Sequence, residues 1–129
     1  MRKTQIITSS LFLVILAFLS GGCAAALVGA GAGTVAYIRG DLEAMLDDDI
    51  DSAYQASLKS LEQIEIAPTS KVKDALTAKI VGRDADDKKI TIKLTSTAEG
   101  LTKLSIRIGL IGNETKSRII YEKIKKNLE

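Results

Sequence analysis

Hydrophobic positions divide the chain into an apolar leader and a patterned body. Residues 4–38 carry no charged side chain, and the apolar residues beyond them recur on two periods. Ile38, Leu42 and Leu46, with the small residues Gly40 and Ala44, share one side of an extended segment. Its other side carries Tyr37, Arg39, Asp41 and Glu43. A period of two predicts a strand with one buried face. Asp47-Asp48-Asp49 ends it and opens a helix, because an Asp cap and a further first-turn carboxylate, Asp51, suit the positive end of a helix dipole. Ile50, Ala53, Tyr54, Ser57, Leu58, Leu61 and Ile64 then recur at three- and four-residue steps, an apolar stripe along the helix. Pro68, Thr69 and Ser70 mark the turn out of it.

Three further strands are predicted. Leu76, Ala78 and Ile80 alternate with Thr77, Lys79 and Val81; Ile90, Ile92 and Leu94 with Thr91, Lys93 and Thr95; Leu104, Ile106, Ile108 and Leu110 with Lys103, Ser105, Arg107 and Gly109. The charged run Asp84-Ala85-Asp86-Asp87-Lys88 and the pair Glu99-Gly100 turn the chain between them. Asn113 caps a last helix, Glu114–Leu128, with Ile120, Tyr121, Ile124 and Leu128 on one face and Lys123, Lys125 and Lys126 near its negative end. The order β-α-β-β-β-α over residues 36–129 predicts an α+β two-layer sandwich. Its sheet has four mainly antiparallel strands, and both helices cover one face.

The leader reads as an address. Met1-Arg2-Lys3 is a short positive start, and the apolar core Leu11–Leu19 suits a signal peptide but is short of the roughly 20 residues that span a bilayer. Leu19-Ser20-Gly21-Gly22 precedes Cys23, the one cysteine of the chain. This cluster resembles the lipobox of bacterial lipoproteins, with Ser20 where Leu is commonest. The resemblance implies cleavage of residues 1–22 and a diacylglyceryl group on the Cys23 thiol, with acylation of the new amino terminus. One acyl chain binds membranes only marginally, so stable anchoring takes two or more. Cleavage leaves sixteen basic against sixteen acidic residues, which removes any charge argument for nucleic-acid binding. Residues 24–35, small and Gly-rich, form either a flexible tether or a segment lying against the acyl region, the tether being favoured.

Composition excludes much chemistry. The chain has no His, no Trp and one Cys, so His-based metal sites, Ser-His-Asp and Cys-His catalysis, zinc clusters and internal disulfides are ruled out. Gly29, Gly31 and Gly33 match a phosphate-binding loop poorly, because Thr34 stands where the third Gly is needed and a strand rather than a helix follows. Asp47, Asp49 and Asp51 match the first three ligand positions of a calcium loop, but Ser52 and Leu58 stand where Gly and Glu are needed. The cluster is therefore read as a helix cap. Tyr37, Tyr54 and Tyr121 are too scattered for a sugar platform, and no carboxylate pair is placed in an apolar cleft. Neither an enzyme nor a cofactor is expected.

The Cys-Ala-Ala start, the Gly/Ala run leading to Tyr37-Ile38-Arg39-Gly40-Asp41-Leu42-Glu43, and the stretch from Gly100-Leu101-Thr102 through Ile106-Arg107-Ile108-Gly109 to Gly112-Asn113-Glu114 together resemble a family of small bacterial lipoproteins of unknown function. The resemblance implies the fold and the lipid anchor and brings no catalytic residues.

Two roles fit: a non-catalytic structural or interaction module of the cell envelope, or a carrier of lipid or small molecules in a groove between helices and sheet. By the resemblance the protein faces the periplasm from a membrane, the outer one favoured because Ala24 rather than Asp follows Cys23. If even-numbered strand residues face the helices, the other face holds Lys79, Lys93, Lys103 and Arg107 as its candidate interaction residues, with Arg83 and Lys89 beside them. Residues 23–66 hold eight acids against two bases, and residues 67–129 fourteen bases against eight acids. Asp41 and Glu43 are the carboxylates the first strand brings to that face. This face reads either as a solvated, Lys- and Thr-rich surface that keeps the sheet from aggregating, or as a docking surface for an anionic partner, an acidic protein patch or a phosphate-bearing envelope lipid.

Overall fold

The computed structural model describes residues 34–129. The leader, Cys23 and the Gly-rich segment before residue 34 lie outside the described residues. The body contains β1 (Val35–Ile38), β2 (Asp41–Leu46), α1 (Ile50–Gln63), β3 (Pro68–Lys73), β4 (Thr77–Arg83), β5 (Lys89–Ser96), β6 (Thr102–Ile108) and α2 (Glu114–Leu128). The sheet has six strands in the order β1-β2-β6-β5-β4-β3, every neighbouring pair antiparallel. The expected four-stranded sheet is thus corrected to six strands, within an α+β fold whose two helices cover one face.

Both extra strands have a physical cause. The segment expected as one strand over residues 36–46 breaks at Arg39-Gly40, whose φ angles are 53° and 91°. Two consecutive left-handed residues make the tight hairpin turn that matches the twist of the flanking strands, and Ile38 pairs directly with Asp41 across it. The turn reverses the expected facing of β1. Tyr37 pairs with Leu42 on the helix side, while Ile38 lies with Asp41 on the other. The second addition, β3, has five exposed residues in six and therefore no apolar alternation. It pairs only with β4, carries Pro68 at its start, and is irregular between Pro68 and Ser70. Proline and a bulge are tolerated at an edge, where half the backbone hydrogen-bonding groups meet no neighbour.

The core is formed by the even-numbered residues of β2, β4, β5 and β6. Leu42, Ile92, Leu104 and Ile106, with Leu61 of α1 and Ile124 of α2, are fully buried. Helix α1 packs over β4 and β5, and α2 over β2 and β6. Each helix starts as its sequence predicts. Asp49 accepts from the Ser52 N–H at 2.9 Å, and Asn113 accepts from the Lys116 N–H at 3.0 Å. The Ser52 N–H holds the Asp49 carboxyl below its ordinary range, with the Ser52 hydroxyl adding to it. The helices are tied near their C-termini by Asn127, whose amide donates to Ser60 Oγ at 2.9 Å and to Gln63 Oε1 at 3.1 Å.

Besides Ile38, two residues expected on the inner face are exposed. Leu76 sits in the β3–β4 turn, where Asp74 accepts from the N–H groups of both Leu76 and Thr77. Leu110 lies beyond the end of β6, in the loop to α2, and is 92% exposed.

Candidate functional site

Among the described residues both helices lie on one side of the sheet and leave the other face open, and its side chains follow from register. Across β2 and β6, Asp41 lies opposite Arg107 and Glu43 opposite Ser105. Arg107 reaches Asp41 at 3.3 Å, and Lys103 reaches Glu43 at 3.2 Å. This half of the face is neutralised pair by pair. Across β4 and β5, Lys79 lies directly opposite Lys93, and Arg83 directly opposite Lys89. Like charges directly opposed across a strand pair destabilise a sheet. Arg83 has an outlet in Asp87, bonding its carbonyl oxygen at 2.9 Å and its carboxylate at 3.4 Å. Among the described residues no carboxylate lies within ion-pair distance of Lys79, Lys89 or Lys93.

These cations surround a depression of about 280 Å³, lined by Asp41, Lys79, Lys89, Thr91, Lys93, Ser105 and Arg107. Four cations and one carboxylate line it, and that carboxylate is already paired with Arg107. The hydroxyls of Thr91 and Ser105 lie between the charges and offer neutral donors. Such a surface attracts anions and orders them by hydrogen bonding.

Of the four residues singled out from sequence, Lys79 and Lys93 stand together as free cations. Lys103 and Arg107 are committed to β2. Arg107 is also a clamp. Its guanidinium donates to the carbonyl oxygen of Arg39 at 3.0 Å and to that of Leu110, joining the β1–β2 turn to the β6–α2 loop. Lys89, on the same face by its odd-numbered position in β5, joins Lys79 and Lys93 as a third free cation, and its cross-strand partner is Arg83. Cys23, the expected lipidation site, lies outside the described residues.

On the helix side of the β4–β5 turn, Lys116 of α2 bridges Asp84 at 2.9 Å and Asp86 at 3.1 Å. The Lys116 ammonium holds the Asp84 carboxyl below the usual range, helped by the Lys88 N–H, and Lys116 is itself raised by Asp84 and Asp86. The acidic run of this turn is therefore engaged by α2 and by Arg83, and leaves the open face cationic.

Fold and face together define a small α+β domain with one helix-covered, close-packed side and one exposed, half-cationic side. Among the described residues no helix is long and apolar enough to cross a membrane. The chain belongs to the family described as protein of unknown function (DUF3568), whose pattern matches residues 5–127. No curated protein matches it.

Proposed function

We propose that this protein is a lipid-anchored, non-catalytic module of the bacterial cell envelope, held by an acylated Cys23, that docks an anionic partner on the β4–β5 half of its open face. The observation that carries the docking role is the register of Lys79 on Lys93 and of Arg83 on Lys89, with three of these four cations free of carboxylates among the described residues. A sheet that needed only a soluble outer face would gain stability from alternating signs, as β2 and β6 have. Retaining like pairs is understandable where a bound anion supplies the missing charge. The anchor reading rests on the short basic start, the Leu11–Leu19 core and the small residues before a single Cys.

The carrier reading has one observation in its favour, an apolar groove of about 450 Å³ between the start of α2, the α1–β3 connection and the β4–β5 turn, lined in part by Ile64, Ile66, Ile119 and Ile120. Its volume falls in the range of ligand sites. Lys116, which any polar headgroup would meet there, is already held by two carboxylates, so docking on the open face remains the favoured role.

Two measurements test the proposal. Mass spectrometry of the native N-terminus is expected to find residues 1–22 removed and Cys23 acylated; an unmodified Cys23 contradicts the anchor. Cross-linking in cells is expected to capture a partner with the native protein and to lose it in Lys79→Glu/Lys93→Glu, with folding unchanged. Undiminished cross-linking in that variant contradicts the docking face.

A further inference from the structure

The loop between β6 and α2 presents Leu110 and Ile111 to solvent at 92% and 89% exposure. Single exposed aliphatics are ordinary, but two adjacent ones almost wholly outside the fold form a patch. This patch is built. Gly109 and Gly112 take left-handed φ angles of 71° and 95°, which set the loop's turns. Gly112 lies so close to Gly40 that a Cβ on it would overlap the Gly40 backbone, and the Arg107 guanidinium bonds the Leu110 carbonyl oxygen. The backbone thus holds both side chains outward.

Beside the loop is a groove of about 540 Å³ whose lining includes Ile108, Leu110 and Ile111 together with Arg83, Asp87, Lys88 and Lys89. The carboxylates nearby are occupied: Asp84 and Asp86 by Lys116, Asp87 by Arg83. Lys88, Lys89 and Arg39 have no carboxylate partner among the described residues. The chain enters the sheet at the opposite end of the strands, where Val35 pairs with Ala44, so the tip is remote from that entry point.

We infer that this end of the domain is a bilayer-contact tip. Leu110 and Ile111 enter the interfacial zone of an anionic membrane, while Lys88 and Lys89 meet lipid phosphates. The inference rests on the anion-docking reading for its charge, and it gives this end of the domain a lipid surface to meet. An apolar wedge bordered by free cations matches a bilayer interface, where acyl chains lie directly beneath phosphate. An acidic protein patch would leave the wedge without a complement.

The chain has no tryptophan, so one substitution makes a single-site reporter. Leu110→Trp in the full-length protein, reconstituted into vesicles with brominated acyl chains, is expected to shift to the blue and be quenched when phosphatidylglycerol is present. Both effects are expected to be lost in Lys88→Glu/Lys89→Glu. Leu76→Trp, at the other end of β4, is expected to stay unquenched. The tip is overturned if Leu110→Trp emits as in water with vesicles present, or if the two reporters are quenched alike. It is also overturned if the blue shift rises with protein concentration in the absence of vesicles, which would mean self-association. If Lys79→Glu/Lys93→Glu abolishes cross-linking while Leu110→Trp stays unquenched, the docking face stands and the tip falls.

Discussion

The two halves of the open sheet face both carry lysine and arginine and treat that charge in opposite ways. Over β2 and β6 each cation has a carboxylate on the neighbouring strand, and Arg107 also fastens two loops. Over β4 and β5 cation faces cation, and Lys79 and Lys93 pair with no acid among the described residues. The strands are joined in one sheet over one core, so solubility does not explain the contrast: either arrangement would be soluble. The neutral half is organised for stability. The cationic half gives up a little stability and presents charge to something outside the protein.

That contrast can be broken most strongly at the clamp of the neutral half. Gly112→Ala places a Cβ against the Gly40 backbone in a left-handed conformation, and is expected to cost about 3 kcal/mol, read by chemical denaturation. Arg107→Leu removes an ion pair and the donors to two backbone carbonyls, for an expected loss of about 2 kcal/mol. If it costs no more than Lys93→Leu, expected within about 0.5 kcal/mol of zero, the two halves do not differ as described. Lys103→Glu sets an acid beside Glu43 and is expected to lose about 0.5–1 kcal/mol. Lys93→Glu is the smallest effect and has the opposite sign. It converts a like pair with Lys79 into an attractive one and is expected to gain about 0.2–1 kcal/mol.

How much of this was legible depended on whether a residue's role follows from parity along one strand. Ile80, Ile90, Ile92, Leu94, Leu104 and Ile106 alternate without interruption, so the inner face and its complement were readable. Gly40 preserves the parity of Ile38 and Leu42, and so it hides a turn that reverses Tyr37 and Ile38; Arg before Gly is a weaker turn signal than Asn or Asp. Pro68–Lys73 buries almost nothing and leaves no apolar rhythm to read, because its pairing is carried by the backbone. Leu110 continues the parity of β6 past its end, which is why it was expected inside.

For the candidate site, the cationic character of the face was visible. The possibility that Asp41 and Glu43 would neutralise a neighbour was visible too. Which neighbour was not, because that depends on strand order. With β2 beside β6, Lys103 and Arg107 are consumed, and Lys79, Lys89 and Lys93 are left free. Long-range pairing of this kind has no local sequence signature.

The most direct test compares two charge reversals of equal size. Lys93→Glu and Lys103→Glu change net charge identically, on adjacent strands of the same face, and differ only in which half they strike. In-cell cross-linking yield, measured for both beside the native protein, is expected to collapse by roughly tenfold or more in Lys93→Glu and to stay near native in Lys103→Glu. Equal losses in the two variants, or a loss in Lys103→Glu alone, would contradict the assignment of docking to the β4–β5 half.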